Sequence, residues 1–283
     1  MKGRCYVNNV LFGYSDRDTP IHNINAVGKL VYFLLTLLVI MLTYDTRLLI
    51  ILTVISFIAL RVSQIKWHEI SFFIKLIAFF SILNLVFIYL FEPEFGVNLY
   101  SSRTVIWEGI GCYTLTLEQI FYELNVALKY VAMVPLVLVF MLTTNPSEFA
   151  SSLNRIGVSY SISYAISLTL RYIPDVQRDY FNIRNAQLAR GTGKGDTTLM
   201  DKVKQNVQIV IPLLLTSFEK IDTISQAMTL RRFGTKDKRT WYVQRKLGTK
   251  DYVVIFVGII WVILFILLWQ INNGRFYNPF LNN

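Results

Sequence analysis

Three sets of residues in this chain could do chemistry. The stretch GTGKGDTT, Gly191 to Thr198, has the glycines and the lysine of a phosphate loop. Such a loop needs Ser or Thr directly after its lysine, and a strand leading into it. Here Gly195 follows Lys194 and no strand precedes, so the stretch reads as a flexible basic loop between two helices. His22, His68, Cys5 and Cys112 do not assemble a recognisable metal set. Glu92 and Glu94 flank Pro93 in an acidic loop and read as solvated charges rather than a catalytic pair. The sequence therefore predicts no catalytic residue, no metal and no cofactor.

What remains is a pair of arginines. Val176, Tyr180, Ile183, Gln187 and Arg190 follow a 4-3-4-3 spacing, and Ser217, Ile221, Ile224, Met228 and Arg231 repeat it 41 residues later. Ala186 and Ala227 lie four residues before each arginine, and Gly193 and Gly234 three after. The spacing keeps each arginine on the helix stripe that carries the apolar residues. A cation near a helix C-terminus gains about 0.3–1 kcal/mol from the macrodipole, which explains either arginine alone. Repetition points further. Two helix tips, each with a rigid fork of donors on an apolar stripe, suit two similar acidic sockets, and two sockets suggest a two-fold partner.

The elements that carry these tips are long. One segment runs from Ser159 to Arg190 and contains Pro174; another runs from Thr197 to Arg232 and contains Pro212. A proline removes a helical hydrogen bond, so both segments are expected to bend there. Upstream, Asn145 and Pro146 offer a helix start.

The rest is apolar. Hydrophobic residues make up 54% of the chain and charged residues 16%, with the apolar residues gathered in blocks, which points to membrane spans. Val27–Tyr44 and Leu48–Val62 form a hairpin around Asp45 and Arg47. Phe72–Phe91 and Leu124–Thr144 each carry one lysine (Lys75, Lys129), expected to snorkel to the headgroups. Tyr252–Asn273 has no charge.

The net charge of +10 is then a topology signal rather than a nucleic-acid signature. Residues 143 to 250 hold 17 of the 28 Lys and Arg, while the loop from Glu92 to Gln119 holds only Arg103. Lys2, Arg4, Arg17 and Lys29 precede or open the first span, and Arg61 and Lys66 the third. Five spans with the N-terminus inside put every basic segment in the cytoplasm. Cys5 and Cys112 then face opposite sides, against a disulfide, and the polar leader predicts no cleavable signal peptide. The cluster Lys236–Lys246 anchors the last span. The expected organisation is a transmembrane region over 1–144 with about four spans, a cytoplasmic coupling-helix region over 145–235, and a basic anchor with a final span over 236–283: an all-α polytopic membrane protein.

The runs LTTNPSEFASSLNRIGV, LTLRYIPDV, AQLARG and IPLLLTSFEKIDTISQAM, with the leader TPIHNINAVGKL, resemble in order and spacing the transmembrane T component of energy-coupling factor (ECF) transporters. That family carries two Ala-Arg-Gly-type motifs at the ends of coupling helices. The first is intact as Ala189, Arg190 and Gly191; the second corresponds to Leu230, Arg231 and Arg232, with only the arginine kept. The resemblance implies a scaffold in a bacterial cell membrane. It would join two ABC-type ATPase subunits, through the motif arginines, to one membrane-embedded substrate-binding S component that takes up a vitamin or other micronutrient. A membrane-embedded enzyme would need intramembrane ionisable residues, of which the spans offer almost none. A stand-alone secondary carrier would place its repeats within the spans.

Overall fold

The computed structural model describes residues 19–65, 67–107, 113–191, 199–234, 240–241, 247–272 and 274–280. Expectations for Cys5, Cys112, the His68 side chain, 192–198 and most of 236–246 fall outside them. The described residues are almost entirely helical and form two compact units, one of residues 12–145 and 245–283 and one built around 146–244.

The first unit holds α1 (Ala26–Leu42), α2 (Thr46–Val62), α3 (Trp67–Phe91), α4 (Phe95–Tyr100), β1 (Val105–Trp107), β2 (Leu115–Thr116), α5 (Leu117–Thr143) and α9 (Thr249–Ile271). Helix starts follow from local chemistry. Asn25 caps α1 by accepting from the Val27 amide at 3.1 Å, and Asp45 caps α2 by accepting from the Arg47 amide at 3.0 Å. Asp45 thus starts α2 directly after α1 ends, but the two helices do not pair as the expected hairpin: α1 packs on α9 and α5, and α2 packs on α5. Helices α3, α5 and α9 are long and apolar enough to cross a membrane. Helices α1 and α2 have 17 residues each, about 25 Å of helix against a hydrocarbon core of about 30 Å.

Val39, Ile40, Leu48, Leu49, Leu52, Ala132, Leu136, Trp261 and Phe265 build the core where α1, α2, α5 and α9 meet. Helix α1 approaches α9 closely at Gly258, where an added Cβ would lie 3.2 Å from Leu35. Polar stitches close both ends of this bundle. At one end Asp251 accepts from the amides of Asn25 and Gly248 (2.8 and 2.7 Å), and Lys29 donates to the Thr143 carbonyl at 2.8 Å. At the other, Asn272 donates to Asp45 at 2.8 Å and the Tyr44 amide to the Arg275 carbonyl at 2.9 Å. Residues 143 and 248 therefore lie at the same end, and the long segment between them leaves and re-enters this unit there.

Two lysines behave differently from expectation. Lys29 is 8% exposed and holds the α5 terminus, where the sequence counted it as a topology charge. Lys129 does not snorkel: its ammonium donates to the Met41 carbonyl at 2.9 Å and lies 3.2 Å from the Tyr44 ring centroid. The carbonyl and the ring face supply inside the bundle what headgroups would supply outside.

Candidate coupling site

The second unit positions the arginines. It holds α6 (Pro146–Ile156), α7 (Tyr160–Ala189) and α8 (Leu199–Leu230). Pro146 opens α6 as expected, and α6 closes at Gly157 (φ +117°), with the Val158 amide donating back to the Leu153 carbonyl. Helix α7 packs on α6 and on α8. Both long helices run unbroken through their prolines, Pro174 and Pro212. Pro212 has no amide to give the Gln208 carbonyl. The Gln187 side-chain amide of α7 reaches that carbonyl instead, at 3.4 Å, so the gap in one helix binds the other.

Asp179 and Lys220 form an ion pair between α7 and α8, and the two positions are 41 residues apart, the same offset that relates the two stripes. Gln187, further along α7, meets the Gln208 carbonyl, further back along α8, so the helices run antiparallel and cross near this pair. Each arginine lies 11 residues beyond its member of the pair. At 1.5 Å per residue the tips stand about 16 Å from the crossing, on opposite arms.

The tips also match in backbone detail. Arg190 follows the last residue of α7 and its amide donates to Ala186; Arg231 follows the last residue of α8 and its amide donates to Ala227. The alanines singled out by spacing are thus the carbonyl partners of the arginines. The next residue turns left-handed in both: Gly191 at φ +87°, Arg232 at φ +52°. Gly191 donates to Leu188 at 3.0 Å, and Arg232 to Thr229 at 2.9 Å. Arg232 therefore has the backbone conformation and hydrogen-bond pattern that Gly191 has at the other tip. Phe233 then donates to Met228 at 2.9 Å and completes the α8 cap. Ala189, Arg190, Gly191, Leu230, Arg231 and Arg232 are all exposed, Leu230 to 86%.

One side of the helix pair is an open groove of about 780 Å³. Its walls include Tyr172 and Val176 of α7, and Ile221, Ile224 and Met228 of α8. The stripe of the second arm therefore lines it, while Tyr180 and Ile183 of the first do not. Sequence reading missed two features here. Asp179 and Lys220 were detectable, because the 41-residue offset applied to every position sets opposite charges on counterpart sites. Trp241 was read only as part of a basic cluster. Its indole donates to Asn154 at 3.2 Å and packs on Tyr160, 5.4 Å between centroids, tying the segment after α8 back to α6 and α7.

Comparison with known proteins identifies the family. The chain is 26% identical to the energy-coupling factor transporter transmembrane protein EcfT of Lactococcus lactis over 273 residues, covering 93% of this chain and 99% of the relative. It is 27% identical to EcfT of Streptococcus equi, covering 91% and 96%, and 26% identical to that of Heliobacterium modesticaldum, covering 91% and 96%. A family described as cobalt transport protein, CbiQ, matches residues 17–242. With the family model matching most of the chain, the relatives similar over nearly their full length and apolar helices long enough to span a membrane, the chain belongs to the CbiQ family and is a multi-pass transmembrane component of the energy-coupling factor type.

Proposed function

We propose that this chain is the non-catalytic scaffold of an ECF-type importer, linking two ABC-type ATPase subunits to one substrate-binding S component for uptake of a vitamin or other micronutrient. The observation that carries this reading is the pair of matched arginine caps on opposite arms of α7 and α8. Two tips about 16 Å either side of a crossing can engage two separate subunits at once. Each guanidinium is exposed and carries a planar fork suited to a carboxylate. Pro174 and Pro212 are the points at which the arms flex when the ATPases move. The groove beside the crossing offers the apolar surface on which an S component would rest.

Co-purification tests this. Tagged wild-type chain expressed with ATPase subunits should retain both. Arg190→Ala or Arg231→Ala should weaken retention, and the double variant should lose it, with membrane insertion unchanged. Removing one member of a buried, hydrogen-bonded pair costs about 3–5 kcal/mol, whereas an exposed pair is worth under about 1 kcal/mol. If both single variants retain full ATPase binding and transport, the arginines are ordinary helix-terminal charges and the scaffold reading loses its support.

A further inference from the structure

The segment joining α3 to α5 carries apolar side chains that no described protein group covers. β1 pairs antiparallel with β2, Val105 opposite Thr116 and Trp107 opposite Leu115. Successive strand residues point to opposite faces, so a strand lying on a protein core hides every second side chain. In β1 all three are exposed: Val105 to 40%, Ile106 to 53% and Trp107 to 72%. An apolar strand open on both faces does not suit water on either.

Its place in the fold supplies the covering. The Leu117 amide donates to the Thr104 carbonyl at 3.0 Å, fixing β1 at the start of α5. The buried Glu118 carboxylate accepts from the Thr104 amide at 2.9 Å and from Ser102 at 3.1 Å. On the other flank Tyr113 donates to the Leu90 carbonyl at 3.3 Å, at the end of α3, and its ring lies 6.3 Å from that of Tyr89. The hairpin base is thus bonded to the ends of two spanning helices, at the level where hydrocarbon meets headgroups. The neighbouring helix ends also expose apolar side chains: Leu90 and Phe91 on α3, Leu117, Ile120 and Leu124 on α5. Among the described charged residues of the segment, Arg103 is paired to Glu94 at 3.2 Å. Trp and Tyr are the residues that favour the membrane interface.

We propose that β1 is an interfacial anchor, with Ile106 and Trp107 seated in the headgroup boundary of the lipid bilayer. This rests on the membrane spans alone and not on the transport reading.

The test uses the full chain with Cys5 and Cys112 replaced by serine, in vesicles of phosphatidylethanolamine and phosphatidylglycerol. A nitroxide is attached through Ile106→Cys, or through Asn98→Cys on the exposed side of α4 as the aqueous reference. Membrane seating makes the label at 106 collide severalfold more with oxygen than with a water-soluble nickel complex, and the reference does the reverse. Nickel collisions dominating at 106 would overturn the proposal in favour of water. An immobilised label reached by neither reagent would overturn it in favour of a protein contact. A second readout leaves the fold untouched: brominated lipid should quench a component of tryptophan emission that Trp107→Phe removes. Equal quenching with and without Trp107 would count against the anchor.

Discussion

Arg232 stands at a left-handed backbone position, φ +52°, where its counterpart is Gly191. An L-residue there carries a strain of about 1 kcal/mol that glycine lacks. Arg232→Gly should therefore increase amide hydrogen-exchange protection over the last turn of α8 and leave ATPase association intact. Loss of association in that variant, equal to the loss in Arg231→Ala, would mean the functional contact is Arg232. Gly96 is constrained differently: an added Cβ would lie 2.6 Å from the Glu118 carbonyl, and the Gly96 amide donates to Gln119 at 2.8 Å. Gly96→Ala should cost about 1–3 kcal/mol through overpacking, read as a lower midpoint in denaturant-induced unfolding in detergent. A change of that kind was not legible beforehand, because nothing in the sequence places Gly96 against the α5 backbone. The arginines were legible because a repeat reports itself. Buried single groups such as Lys29 and Glu118 were not, since their partners, a distant carbonyl in one case and the Thr104 amide and Ser102 hydroxyl in the other, carry no signature in composition.

At the scale of the element, α7 and α8 are one device. The Asp179–Lys220 pair is partly exposed, so it contributes about 0.2–1 kcal/mol to stability and much more to register. Asp179→Lys should set two cations at the crossing and loosen the pair, raising hydrogen exchange in both helices around it. The exchanged double variant, Asp179→Lys with Lys220→Asp, should recover most of the protection. A double variant no better than the single one would show that these charges do not meet. Gln187 makes a related case, since it bonds the carbonyl that Pro212 leaves without a donor. The prolines could be read from the sequence; the partner of the freed carbonyl could not, because it sits on the other helix, 21 residues away. Helix existence and spacing came through almost unchanged. The bends expected at Pro174 and Pro212 fall within helices that continue past each proline, and at Pro212 the freed carbonyl is bonded from the other helix.

For the whole molecule, we propose from the charge asymmetry that the N-terminus and the arginine-bearing helices lie on the inner side of the bilayer. With Cys5 and Cys112 replaced, a cysteine at Asn98 on α4 should react with an impermeant thiol reagent added outside intact cells. One at Gln226, exposed on α8, should react only after the cells are opened. The reverse pattern would invert the proposed orientation. The purified chain alone should neither bind nor hydrolyse ATP, measured by equilibrium binding and phosphate release, because neither Gly28-Lys29 nor Gly193-Lys194 is followed by the hydroxyl residue a phosphate loop requires.

The bond from Asn272 to Asp45 also has a consequence in time. The partners are 227 residues apart in sequence, so at about 5–20 residues per second the second is made about 11–45 s after the first. The same holds for Asp251 and the Asn25 amide, 226 residues apart. Until the ribosome has delivered α9, Asp45 lacks Asn272 and the Asn25 amide lacks Asp251, while the entire segment that carries both arginines is already synthesised. The polar contacts that close the two ends of the bundle are thus among the last to form. A nascent chain ending before Thr249 should remain open to membrane proteases, and one that extends past Asn272 should resist them.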